Sequence, residues 1–180
     1  MRDRPQPGPL RALAILLGAV VMSTSAATPG PRLGAPIDAE SLSSWAISIA
    51  PDGRGLPDGS GTVEQGRAVY QAQCLACHGE QGRGGPHDAL AGVDDKLVKR
   101  TVGNYWPCAT TLFDYIRRAM PLTNPQSLHP DQVYAVVAWI LHLNGLLPED
   151  ASLDAHKLAT LKMPNRDQFY SDYGPPACGP

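Results

Sequence analysis

Cys74-Leu75-Ala76-Cys77-His78 constrains this chain more than any other stretch of it. Two cysteines three residues apart at the end of a helix point to nearly the same side. A single planar group with two reactive arms can therefore be bonded by both. The histidine that follows is held under that group, where a ring nitrogen can bind a central metal. The pentad is the attachment signature of a c-type haem. Three other uses of the same residues fit less well. A thioredoxin-like dithiol wants a βαβ setting, and no such pattern is visible. A zinc site wants a second ligand pair, and the chain has no second CxxC and no HxxxH. A disulfide between Cys74 and Cys77 would leave His78 without a role.

The rest of the chain reads as helices separated by long loops. Thr62-Val63-Glu64-Gln65 is a capping-box pattern, so a helix is expected over about 63–74, leading straight into the pentad. Gly66 lies on that helix, where a missing side chain lets another helix cross closely. A short helix is expected at 94–100. Thr111 opens a helical stretch that Pro121 stops. The strongest helix is expected over 131–144, with Pro130 at its start and Asn144-Gly145 at its end. Val133, Val136, Val137, Ile140, Leu141 and Leu143 give it a broad apolar face. No convincing strand pattern appears, so the fold class is all-α.

Segments at both ends fall outside this core. Arg2, Arg4 and Arg11, an apolar run from Ala12 to Met22 and small residues up to Ala27 read as a secretory signal over 1–27, cleaved near Ala26 or Ala27. That run is too short to span a bilayer comfortably, although an uncleaved anchor is the alternative. Residues 28–61 form an expected ordered arm, rich in turn residues but supplied with the apolar anchors Trp45, Ile47, Ile49 and Leu56. Residues 62–145 are the core domain and 146–180 a tail. Removing residues 1–27 leaves 12 basic and 16 acidic residues, a net charge of -4. That balance gives no support for nucleic-acid binding. No later segment is long and apolar enough for stable membrane insertion of the mature chain, which is expected in the periplasm.

A haem iron held by His78 needs a ligand on its other face. The candidates are Met120, Met163 and the histidines His87, His129, His142 and His156. Met120-Pro121 sits between two predicted helices, and the proline stiffens the loop there. Met120 is therefore the expected ligand and His87, in the loop after the pentad, the strongest rival. Met163 reads as a surface or tail residue, and His142 as a half-buried histidine on an apolar helix. A His/Met pair stabilises reduced iron and leaves no open position, which suits electron transfer better than peroxide or gas chemistry.

The order of helix, CxxCH, methionine loop and closing helix resembles the class I cytochromes c, with Gly66 and Tyr70 matching the small-and-aromatic pair where the terminal helices cross. A narrower resemblance rests on Pro51-Asp-Gly-Arg-Gly-Leu-Pro57, Thr101-Val-Gly-Asn-Tyr-Trp-Pro107, Thr110–Pro121 and Met163-Pro-Asn-Arg-Asp167. These look like the cytochrome subunit of Sox-type sulfane dehydrogenases and related sulfite dehydrogenases. The resemblance implies one covalent haem c, with Met120 as axial ligand. It also implies a molybdenum-cofactor dehydrogenase subunit as electron donor and a downstream cytochrome c or oxidase as acceptor. On that reading the chain is an electron-transfer subunit, not the catalytic one. A free-standing carrier is the alternative.

Cys108 stands where that family pattern leads one to expect an aromatic residue, and Cys178 is the other unassigned cysteine. In an oxidising compartment two leftover thiols suggest a disulfide, worth about 4 kcal/mol over so long a loop in the chain-entropy model. Sequence fixes no geometry for it, so two free thiols stay open. Lys96, Lys99, Arg100, Arg117 and Arg118 form basic clusters that could steer a partner, meet haem propionates or simply be solvated.

Overall fold

The computed structural model describes residues 34–92, 100–170, Asp172 and Cys178. The chain divides into two units, Met1–Ile37 and Asp38–Pro180. In the first, residues 34–37 are irregular and exposed. The second carries a short helix α1 (Ala39–Ser43), strand β1 (Ser60–Thr62) and helix α2 (Val63–Gln73), which leads into the single turn α3 (Leu75–His78). Helices α4 (Val102–Tyr105), α5 (Ala109–Ala119) and α6 (Pro130–Leu143) follow, then strand β2 (Ser152–Asp154) and helix α7 (Ala155–Thr160). The helix expected at 94–100 lies outside the described residues except for Arg100.

Helix α2 starts where its capping box predicts. Thr62 Oγ1 accepts the Gln65 N–H, and Gln65 Oε1 accepts the Thr62 N–H. Its central contact is with α6. A Cβ built on Gly66 would lie 1.9 Å from the Ala135 carbonyl oxygen and 2.9 Å from the Trp139 Cβ. The two backbones therefore touch at a spacing that only glycine permits. Tyr70 completes the crossing against Trp139, with ring centroids 6.4 Å apart. Helix α6 is buried without a break from Val133 to Leu141. It is wrapped on all sides, more deeply than one broad apolar face predicts.

The all-helical expectation holds, with one addition. Strands β1 and β2 pair antiparallel, Gly61 opposite Leu153, and lie against α6. Three residues per strand are too few to display a period-2 pattern, which is why the sequence hides them.

The arm is fixed to the core by polar contacts as much as by apolar anchors. The buried Asp114 carboxylate accepts the Ile49 N–H at 2.8 Å and is also held by Arg118. Thr110 donates to the Pro51 carbonyl and Tyr134 to the Pro57 carbonyl. Ile49 is buried, and Leu56 packs on the core. Trp45 is not an anchor: it is 80 % exposed. It stands just beyond α1, before the chain reaches the Asp114 clamp.

Met163 also departs from expectation. It is 3 % exposed and part of the core, not a surface residue. The tail doubles back beside α5: Lys162 forms an antiparallel bridge with Cys108, and Asn165 donates to the Tyr105 carbonyl at 2.6 Å. Cys108 and Cys178 are joined by a disulfide (S–S 2.03 Å).

Candidate cofactor site

Helix α2 ends at Cys74, whose carbonyl then accepts the N–H groups of Cys77 and His78. That extra turn brings both thiols and the imidazole to one end of the helix. Gly79 stops the turn at φ 77, a backbone state that glycine adopts without strain. The Tyr70 hydroxyl donates to the Gly79 carbonyl at 2.8 Å and braces the corner from below. Both cysteines are free thiols, Cys74 half-buried and Cys77 exposed. Burial, with a smaller contribution from Cys77, pushes the Cys74 pKa up to about 11. A thiol of that kind is protonated at neutral pH, the reverse of the acidic thiol that a dithiol oxidoreductase requires.

The loop after the turn folds back over it. His87 donates its N–H to the Cys77 carbonyl, and His78 Nδ1 lies 2.9 Å from the Asp88 carbonyl. A carbonyl can only accept, so Nδ1 carries the proton and Nε2 keeps its lone pair. A metal-ligating histidine needs that tautomer, and the hydrogen bond also fixes the ring's orientation. No side chain announces this contact, so sequence reasoning missed Asp88. The nearest signal is the Gly- and Pro-rich loop 82–86, which lets the chain return so tightly.

Cys74, Cys77, His78, His87 and Met120 all line one cleft, which encloses about 800 Å³ of empty space together with the solvent at its mouth. Leu112, Ile116 and Ile140 form its inner wall. Trp106 and Tyr115 stand at one side, edge to face with centroids 6.0 Å apart. Among the described residues no Asp, Glu, Lys or Arg lines it. Met120 caps α5, its N–H bonded to the Ile116 carbonyl, and the Met120–Pro121 peptide bond is cis. The cleft is apolar in its lining, as cofactor sites are. Its lining also includes two thiols, a thioether and two imidazoles. That donor set suits an apolar iron macrocycle, so the residues present fit a haem.

The other sequence candidates, His87 apart, are elsewhere. His142 bonds the Leu147 carbonyl and stacks on Trp139. His129 precedes α6, His156 is exposed on α7, and Met163 is in the core; none lines the cleft. His87 lines the cleft as Met120 does, exposed, its ring 6.2 Å from that of His78. The basic residues are mostly engaged: Arg118 with Asp114, Arg117 with the Ile47 carbonyl, Arg100 over the Tyr105 ring. Lys96 and Lys99 lie outside the described residues.

An apolar cleft set against a glycine-mediated helix crossing, with CxxCH at its edge, defines a class I cytochrome c, and the chain belongs to that family. It is an electron-transfer haem protein. The family model for cytochrome c oxidase, cbb3-type, subunit III matches residues 61–140. A chain in the crystal structure of the sulfane dehydrogenase SoxCD from Paracoccus pantotrophus is similar at 36 % identity and a TM-score of 0.74, covering 79 % of this chain and 72 % of that one. No curated protein gives a significant match.

Proposed function

We propose that this chain carries one haem c, bonded through Cys74 and Cys77 with His78 and Met120 as axial ligands. It serves as the electron-accepting subunit of a molybdenum-cofactor dehydrogenase that oxidises a sulfur compound in the periplasm. The bound haem supplies a single-electron couple between ferric and ferrous iron. The protein's part is to hold and tune that group. Cys74 and Cys77 anchor its edge, and the Asp88 carbonyl keeps His78 in the ligating tautomer. Met120 offers a soft sulfur that favours the reduced state. Among the described residues the cleft offers no charged group to a polar substrate, so sulfur oxidation would belong on the partner, and the chain would pass electrons to a downstream cytochrome or oxidase.

The observation that carries the haem reading is the convergence of Cys74, Cys77, His78 and Met120 on one apolar cleft. The partner reading rests on the likeness to the sulfane dehydrogenase chain. A match over 79 % of this chain exceeds what residues 62–145 alone supply, so it takes in parts of the arm or tail. A bare class I domain needs neither. Residues 1–27 act as the export signal in this reading. Among the described residues no helix is long and apolar enough to cross a membrane.

The test is metal analysis of the haem protein purified gently from its native periplasm, with sulfite then added to the oxidised sample. Molybdenum co-eluting with haem is the expected result, and reduction by sulfite would distinguish a sulfite donor from other sulfur compounds. Haem eluting without molybdenum would instead favour a free-standing carrier.

A further inference from the structure

Four contacts from the C-terminal tail converge on one short stretch, residues 105–108. Asn165 Nδ2 donates to the Tyr105 carbonyl at 2.6 Å. The Phe169 ring meets Tyr105 edge to face, centroids 5.5 Å apart. Lys162 pairs with Cys108 in an antiparallel bridge, and Cys178 is bonded to Cys108. Buried Met163 anchors the tail between them.

The clamped stretch contains Trp106, which lines the cleft and packs on Tyr115. Local support is slight: Asn104 Oδ1 accepts the Thr101 N–H at the start of the turn, and the Arg100 guanidinium lies over the Tyr105 ring. Helix α4 is a single turn of four residues, and the Trp106 N–H closes it with a long 3.3 Å bond to the Val102 carbonyl. Helices that short are not stable alone, because nucleation costs more than one turn returns. The stretch keeps its place through tertiary contacts, and the tail supplies many of them.

We propose that Lys162–Phe169 position the Trp106 wall of the cleft, with Asn165 as the positioning residue, and so control how readily water and small anions enter it to compete with Met120 for the iron. The inference rests on the haem reading above. A looser wall admits water, which stabilises the more highly charged oxidised iron and lowers the reduction potential.

The experiment compares cyanide binding to the oxidised holoprotein and its Asn165→Asp variant. Aspartate keeps the shape, but a carboxylate cannot donate to the Tyr105 carbonyl. Binding should become about ten-fold faster, as when one part-buried hydrogen bond is lost from the opening segment. The potential should fall with it, and the haem should stay attached. Leu153→Ala is the control: Leu153 is buried but does not line the cleft. It should destabilise the protein while leaving the cyanide rate within about two-fold of wild type. An unchanged rate in Asn165→Asp overturns the proposal, as does equal acceleration by Leu153→Ala. Should Asn165→Asp fail to fold, Phe169→Leu tests the same clamp from its other contact, and no acceleration there overturns the proposal equally. A wild-type protein that carries no haem would instead overturn the reading beneath it.

Discussion

At the scale of single residues, the site depends on groups of very different visibility. The two cysteines and His78 can be read from spacing alone, because one helical turn dictates where they point. The hydrogen bond that orients His78 is invisible to that reading, since its acceptor is the Asp88 main chain. Between these extremes is Met120. A methionine at a helix end before proline is a plausible ligand by position, but only the folded chain shows it sharing the cleft with His78 while Met163 lies elsewhere. The proposed ligation gives a direct expectation. Met120→Ala should retain covalent haem, lower its reduction potential and let carbon monoxide bind promptly to the reduced protein, read by absorption spectroscopy. If Met163→Ala did this and Met120→Ala did not, the assignment of the distal ligand would be wrong.

At the scale of elements, the crossing of α2 and α6 positions everything else. Helix α2 delivers the cysteines, α6 forms the rear wall through Ile140, and the two touch at Gly66. Adding a methyl there would require the Ala135 backbone to move, and a core helix wrapped on all sides has nowhere to go. Gly66→Ala should therefore cost about 3 kcal/mol in denaturant unfolding of the holoprotein, near the upper end for overpacking. A cost near zero would show that the crossing is looser than described. The sequence revealed these helices because caps, glycines and apolar periodicity are local signals. It hid the β1–β2 pair, where three residues per strand are stabilised by α6 and not by their own pattern. It also misled about Trp45: apolar character suggests burial, but exposure is decided by where the Asp114 clamp takes hold, a contact across 65 positions.

At the scale of the whole molecule, the arm and tail turn a small haem domain into a larger, braced one. The arm is pinned along α5 and α6 through Asp114, Thr110 and Tyr134, and the tail closes against residues 105–108 on the cleft side. Such nonlocal bracing leaves little trace in sequence beyond leftover cysteines and loops with more apolar residues than a linker needs. The helical fold and the composition of the site could accordingly be read in advance, while the path of the tail could not.

The account stands or falls on covalent haem in that cleft. The most direct measurement is the intact mass of the mature protein, purified from its native periplasm and fully denatured before analysis. The account predicts one species heavier than the polypeptide by a single haem, an increment that neither acid nor organic solvent removes. A polypeptide mass without that increment would contradict it.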